Sequence, residues 1–515
     1  MLLVNPPCAR TTEPPPGIAC LAGSLRGRLP GVRCVDLAAE GLERLLCVPV
    51  AVEGRRSAGA VARRERAAAA LRDPAAYGNP GRYRRAVSDL TIALEAASEP
   101  SGARVGLADY HDDVLSPLSR GDLIASARGW ERNVFADTFM DAVRRELPGP
   151  GTETVGISLN YLSQALCAFA LAGCIRSQRP EARVVMGGGL VSSWLASGAL
   201  VPGDSFDGFL DVLVGGPGEG PMARLLGLEA VDGPGVPDFG NFAGCRYLAP
   251  VPVIPFGFSR GCAWKRCTFC PEAAEGRPYL AMPVDDAMAA LRRLAERHDP
   301  GLFHFTDSEV APRYLRALGD AGLGVPWYGF ARFTPELEDP AFCMRLAASG
   351  CVMLQLGLES GDQYVLDRTG KGTNLAGIDA SLTNLRDAGI GVFLYVLFGT
   401  PQEDRDAALR TRDYLASRSP SFDFLNIALF NMPVSGAEAR VHGGRAFYGG
   451  DLSLYCDFEH PAGWNRKAVR DFIRREVESE PSIASILRAT PAVFSSNHAP
   501  FFVGRRFLAA ATHLD

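Results

Sequence analysis

Three cysteines stand close together in the run Ser259-Arg260-Gly261-Cys262-Ala263-Trp264-Lys265-Arg266-Cys267-Thr268-Phe269-Cys270, a C-x4-C-x2-C spacing. Thiolates are the preferred protein ligands of iron-sulfur clusters, and three of them within nine residues can wrap one cluster from a single loop. A structural zinc site needs four closed ligands; no histidine lies within 25 residues of the loop, His298 being the nearest, and no second CxxC-type pair exists. Three thiolates leave one iron open, which is a position for chemistry. The other cysteines of the thirteen are mostly scattered singly, unlike a disulfide framework and suited to a reducing compartment.

The elements that must position this loop lie on both sides of it. From 253 to about 430 the sequence alternates regularly, predicting strands over 253–258, 302–306, 325–330, 352–358, 392–398 and 424–430. Helical patterns fill the gaps, over 285–297, 340–349, 375–388 and 404–417. Six successive parallel strands suit an incomplete TIM-type barrel, a partial (β/α)6 arrangement with its chemistry at the strand carboxyl ends. The cysteine loop directly follows the first of these strands.

Upstream, the sequence predicts an α/β unit that is interrupted once. It opens with a strand over 1–4, a helix over 18–28 and a strand over 32–37, then turns rich in Ala, Arg and Glu at helical spacing, as in 61–71 and 86–97. The alternation resumes with a strand over 154–159, a helix over 163–177 and a strand over 183–186 that runs into Gly187-Gly188-Gly189. A further strand over 212–214 runs into Gly215-Gly216, followed by Glu219 and a helix. Glycines at the carboxyl ends of parallel strands let backbone approach a ligand, or simply make tight turns. The organisation expected is therefore a doubly wound α/β domain of 1–49 and 150–245, a helical insertion of 50–149, the barrel of 246–432 and a C-terminal cap or tail of 433–515.

Bulk properties narrow the partners. With 53 basic and 58 acidic residues the chain carries a net charge of −5, which gives no electrostatic footprint for nucleic acid or an anionic membrane. No apolar stretch reaches the roughly 18 residues needed to cross a bilayer. Met1-Leu2-Leu3-Val4-Asn5-Pro6-Pro7 lacks a basic leader and cleavage site and reads as a buried strand, so a soluble, cytoplasmic chain is expected. A small-molecule or peptide substrate suits it best.

The cysteine loop, its flanks and its place after the first barrel strand resemble the radical S-adenosylmethionine (SAM) superfamily, whose usual spacing is CxxxCxxC. This chain has one residue more in the first gap, while Ser-Arg-Gly-Cys and Cys-Thr-Phe-Cys-Pro match closely. The resemblance implies a 4Fe-4S cluster on Cys262, Cys267 and Cys270 whose open iron chelates SAM, cleaved on one-electron reduction to a 5′-deoxyadenosyl radical. It implies further cofactor contacts in order along the barrel. Phe269 stands at the family's aromatic position near the adenine. Asp307 and Glu309, in Phe305-Thr306-Asp307-Ser308-Glu309, are similar to the acidic segment that meets the methionine ammonium. Arg332 is an expected partner for a carboxylate or ribose hydroxyl. Glu359 and Ser360 match the ribose-contacting segment, and Gly399 and Pro401 the glycine-proline turn against the adenine.

The N-terminal domain resembles, in order, the flavodoxin-like cobalamin-binding domain that precedes many such barrels. Ser158, with Asn160, stands at the family's SxL/T position, and Gly187, Gly188 and Gly189 stand at the GG position, where small residues accommodate the nucleotide tail; Gly215, Gly216 and Glu219 follow. The family's DxHxxG motif is not complete. Its counterpart, Asp36-Leu37-Ala38-Ala39-Glu40-Gly41, lacks the histidine, and the only similar string, Asp109-Tyr110-His111-Asp112, lies in the insertion.

The activity implied is cobalamin-dependent methylation of an unactivated carbon, in natural-product or peptide modification, with an external one-electron reductant such as flavodoxin or ferredoxin. The alternative is another radical outcome, such as oxidative cyclisation, ring contraction, epimerisation or carbon-sulfur bond formation, with cobalamin absent or used differently. Tyr328, Tyr395, Asn426 and Asn431 fall at or near strand ends, where they line a pocket or merely pack.

Overall fold

The apolar start of the chain, Leu2–Asn5, is buried throughout and forms β1 in the computed structural model, which describes residues 1–149, 153–229, 233–446, 449–492 and 498–503. β1 pairs in parallel with β2 (Arg33–Asp36) on one side and β3 (Thr154–Ser158) on the other. β4 (Arg183–Gly187) and β5 (Val212–Val214) extend the sheet, giving the parallel order β2-β1-β3-β4-β5. This is one of the two common doubly wound orders, in which the strand sequence reverses beside β1 and leaves a crevice at the carboxyl ends. The expected boundary at 149/150 and the far end of the 433–515 segment lie outside the described residues.

The crossover from β2 to β3 carries the insertion. Helices Arg55–Leu71 and Pro80–Ser98 confirm the helical spacing read there. The structure adds two elements that the sequence pattern does not announce. A helix, Leu37–Cys47, starts with no loop after β2, because Asp36 both ends the strand and caps the helix, accepting from the backbone N–H groups of Ala38 (3.2 Å) and Ala39 (3.4 Å). A short antiparallel pair, Ala103–Val105 with Tyr110–Asp112, interrupts the helices; three-residue strands are too short to show a period. Helix Ala165–Gln178 is buried along its first eleven residues. Its small side chains permit that: a Cβ on Gly173 would lie 1.9 Å from the Ala127 carbonyl oxygen. No helix among the described residues is long and apolar enough to cross a membrane.

A second compact unit begins at Val251. Its six strands, β6 (Val253–Phe256), β7 (Leu302–Phe305), β8 (Trp327–Ala331), β9 (Cys351–Glu359), β10 (Gly391–Phe398) and β11 (Phe424–Leu429), pair in parallel in chain order. Among the described residues β6 and β11 are the edges of this sheet. Aspartates at 339, 362 and 404 and Asn374 cap the intervening helices through their first turns, as their polar side chains favour. Phe424, at the start of β11, meets Phe501 and Phe502 of the described C-terminal stretch.

The C-terminal segment is not one separate body. Residues 455–491 group with the six-stranded unit, whereas the loop at Leu452 groups with the first unit, where its carbonyl accepts from the Trp194 indole N–H at 3.0 Å. Met432–Pro433, Tyr455–Asp457 and Arg445–Ala446 form a small antiparallel sheet.

Candidate functional site

The cysteine loop leaves the carboxyl end of β6 and is closed at its neck. Ser259–Arg260 pairs antiparallel with Leu280–Ala281, and Gly261, at φ +76°, sits where a Cβ would come within 2.6 Å of the Pro278 carbonyl oxygen. Asp307, from the end of β7, holds the neck in register. Its carboxylate accepts from the N–H of Phe258 (3.0 Å), the N–H of Ser259 (2.7 Å) and the Ser259 hydroxyl (2.6 Å). Burial pushes the Asp307 carboxyl up to about 6 against these bonds.

Within the loop, Cys262, Cys267 and Cys270 line one open pocket together with Lys265, Glu272 and Arg277. Among the described residues no three His, Cys, Asp or Glu side chains converge on a single-ion site. The three thiols line one common space, and thiolates are the ligands an iron-sulfur cluster takes. Burial raises all three thiols, and at Cys267 the Lys371 and Arg332 cations oppose it. A thiolate at Cys267, the most buried of the three, would therefore meet two cations.

Around the cysteines the side chains form a charged ring. The Cys262 thiol lies 3.6 Å from Glu309 Oε2, which is 3.4 Å from Arg332 Nε. Arg332 Nη1 is 3.8 Å from Cys267 Sγ, and its Nη2 donates to the Lys371 carbonyl. Lys371, only 5% exposed, pairs with Glu359 at 2.7 Å and lies 6.0 Å from the Phe269 ring. Glu359 reaches this position because β9 bulges between Gly357 and Glu359 and Glu359 takes φ +65°. A Cβ on Gly357 would lie 2.2 Å from Glu359 Oε1 and 2.7 Å from Lys371 Nζ, so a larger residue there would push this ion pair aside.

The structure thus brings Cys262, Cys267, Cys270, Phe269, Glu309, Arg332 and Glu359 together. Asp307 is spent on the loop neck. Ser360 is buried, with its hydroxyl 3.0 Å from that of Thr411 and accepting from the Asp362 N–H, so it braces β9. Gly399, at φ +87°, donates its N–H to Glu403, and Pro401 is buried in the same turn. Gly399 also lines a second open pocket with Phe430, Phe458, His460 and Trp464. Tyr328 stacks inside the unit on His304 at 4.5 Å, Tyr395 accepts from Gln355, and Asn431 accepts from Arg466. Sequence reasoning missed Lys371, Trp264 and Glu403; the glycines flanking Lys371 were the one local sign that its turn receives something bulky.

In the first unit the end of β3 at Ser158 and the glycine-bearing ends of β4 and β5 stand partly open to solvent. Asn160 ties two of them together, donating to the Ser158 hydroxyl (3.0 Å) and accepting from the Gly189 N–H (2.9 Å). Gly188 takes φ +111°, and a Cβ there would lie 2.4 Å from the Leu159 carbonyl oxygen. Gly216 faces open space, and Tyr161 and Leu162 beside these ends expose apolar surface. Small residues with apolar neighbours at a doubly wound crevice fit a bulky cofactor with a nucleotide tail. The segment expected to supply a histidine does not: position 38 is an alanine in the first turn of a helix, and His111 is an exposed strand residue.

A model of the radical SAM superfamily matches residues 257–415. Hopanoid C-3 methylase of Methylococcus capsulatus is 26% identical over 370 residues, 65% of this chain and 69% of that protein. Two further curated relatives, each 26% identical, are matched over only 36% and 40% of their own lengths. Among solved structures, the radical S-adenosylmethionine methyltransferase TsrM of Kitasatospora setae, with cobalamin and a [4Fe-4S] cluster bound, superposes with a TM-score of 0.57 at 14% identity over 99% of both chains. The cobalamin-dependent S-adenosylmethionine radical enzyme OxsB gives 0.51 at 14% identity over 99% of this chain and 61% of its own, and at such identities both likenesses speak for the fold alone. The matched stretch carries all three cysteines, Glu309, Arg332 and Glu359, and it is this part of the chain that is similar to the radical SAM superfamily.

Proposed function

We propose that this protein is a cobalamin-dependent radical SAM methyltransferase that transfers a methyl group to an unactivated carbon of a small molecule or peptide. The observation that carries the reading is the pairing of two sites in one chain: three cysteines around one cavity after β6, and an open glycine-lined crevice on a parallel sheet of order β2-β1-β3-β4-β5. When bound, the cluster supplies the electron that cleaves SAM, and the corrinoid carries the methyl group.

The chain's own part is to bind, orient and exclude water. Cys262, Cys267 and Cys270 hold the cluster, Glu309 offers an acceptor for an ammonium, and Arg332 a donor for a carboxylate. Asp307 fixes the loop neck, and Phe269 packs against Phe430, Met432 and Ala439 with its ring 6.0 Å from Lys371 Nζ. Residues 1–49 and 150–245 serve as a flavodoxin-like cobalamin domain, with Ser158, Asn160, Gly187, Gly188, Gly189, Gly215 and Gly216 accommodating the nucleotide tail and Glu219 buried behind them. Residues 246–432 act as the partial barrel. Because position 38 is alanine, cobalt is bound without a histidine from this segment. The reading also places the enzyme in the cytoplasm, served by flavodoxin or ferredoxin, in natural-product or peptide modification.

Adding hydroxocobalamin to the full chain and desalting tests the reading. Retained corrinoid absorbance near one equivalent per chain is expected. None retained would sink the methyl-transfer mechanism and leave a radical SAM enzyme of another outcome.

A further inference from the structure

The first gap of the cysteine motif holds Ala263, Trp264, Lys265 and Arg266, one residue more than the superfamily's usual three. The structure shows where the extra length goes. Lys265 takes a left-handed conformation, φ +52°, with its side chain exposed. Ala263 and Arg266 are exposed as well, while Trp264 turns inward against the Gly370-Lys371-Gly372 turn that follows the short helix Gln363–Arg368. The indole N–H donates to the Gly370 carbonyl at 2.8 Å. The ring is flanked by two guanidiniums, Arg332 at 4.5 Å and Arg266 at 4.8 Å from its centroid.

The receiving turn is shaped to the indole. A Cβ on Gly372, at φ +70°, would lie 2.1 Å from the Trp264 ring, and one on Gly370, at φ +68°, 2.5 Å from the Arg266 carbonyl oxygen. A third tie follows immediately, with the Thr268 N–H donating to the Thr369 carbonyl at 3.0 Å. The same Arg332 that stacks on the indole approaches Cys267 at 3.8 Å and donates to the Lys371 carbonyl. Ligand, cation and turn are therefore registered through one ring.

We propose that Trp264 is a positioning residue that takes up the extra residue of the C-x4-C gap, clasping the loop to the 369–372 turn so that Cys262 and Cys267 keep one geometry around the cluster. The inference rests on the cluster reading above. Residues that orient metal ligands without binding the metal commonly cost about 10–100-fold in metal affinity when removed.

The test compares four full-length chains after anaerobic reconstitution: wild type, Trp264→Phe, Trp264→Ala, and Trp264→Ala with Lys265 deleted. Iron per chain, the rate of chelator-driven bleaching and the EPR spectrum of the reduced cluster are read, with thermal unfolding of the iron-free chains as the control for folding. Trp264→Ala is expected to bleach about tenfold faster or more, with a broadened EPR spectrum and unchanged unfolding of the iron-free chain. Trp264→Phe, which keeps the stacking and loses the 2.8 Å hydrogen bond, falls between. Deleting Lys265 restores the three-residue gap and brings the alanine variant back toward wild type. Gly372→Ala, which forces the ring out from the other side, reproduces the Trp264→Ala spectrum should that variant fold poorly. Wild-type bleaching and EPR in Trp264→Ala, or no recovery on deleting Lys265, would overturn the proposal. A wild-type chain that takes up no iron overturns the cluster reading itself, and this proposal with it.

Discussion

Lys371 Nζ and Glu359 Oε1 form an ion pair of 2.7 Å beside the cysteine cavity, with the two side chains 7% and 19% exposed. Removing one partner of such a pair leaves an uncompensated charge out of water, a larger cost than the net worth of the pair. Lys371→Met is therefore expected to lower stability by about 3 kcal/mol, and Lys371→Met with Glu359→Gln by clearly less. Denaturant unfolding under anaerobic conditions measures both. A single-variant loss no larger than the double's would show that the pair is not coupled.

Asp307 supplies the acceptor for two buried N–H groups at the loop neck. Asp307→Ala leaves both without a partner, at about 1–3 kcal/mol each, while Asp307→Asn keeps one accepting oxygen. Thermal unfolding should rank wild type above Asn and Asn above Ala, and iron retention should fall in the same order. Equal iron retention in Asp307→Ala and wild type would contradict the bracing role.

Glu403 accepts from the Gly399 N–H through one oxygen while the other faces the Trp464 indole, and burial pushes its carboxyl up to about 8. The sign follows from proton linkage. In the unfolded chain this group loses its proton near 4.5, whereas in the folded chain it keeps it, so its contribution is full below the unfolded value and is lost as pH rises through about 8. Asp36 and Asp307, raised to about 6, complete the same change earlier, which leaves the upper part of the window to Glu403. Glu403→Gln should flatten the decline in melting temperature between pH 6 and 8, a difference of roughly 2–3 kcal/mol over those two units. An unchanged slope would place the carboxylate in contact with water.

Two glycines of the first unit separate backbone freedom from close packing. Gly216→Ala meets nothing within 4 Å and bears only the left-handed backbone, about 1 kcal/mol. Gly188→Ala drives a methyl group into the Leu159 carbonyl and the Asn160 side chain, and should cost several times more. Melting temperature and corrinoid retention after desalting are expected to fall together in Gly188→Ala, whereas Gly216→Ala should lower corrinoid retention with little change in melting temperature, because its new methyl group enters only the space given to the nucleotide tail.

Much of the six-stranded unit is legible because its strands are continuous apolar runs separated by amphipathic helices; all six lie within two residues of their expected starts and ends. Thiol spacing likewise identifies Cys262, Cys267 and Cys270 without any fold. What spacing cannot show is which acid does which work. Asp307 and Glu309 stand two residues apart at the end of β7, yet one is spent on backbone N–H groups and the other faces Cys262, a difference made by residues nearly fifty positions away. Trp264 and Gly370, 106 positions apart, meet only once β6 and β9 lie in one sheet. Helix Leu37–Cys47 escapes notice because its cap is itself a strand residue.

The EPR spectrum of the reduced, reconstituted chain, recorded with and without S-adenosylmethionine, tests the central claim most directly. Three cysteine ligands leave one iron open, so a chain carrying about four irons should show a spectrum that shifts on adding S-adenosylmethionine, with 5′-deoxyadenosine formed in the same sample. A cluster whose spectrum the cofactor leaves unmoved would contradict the account.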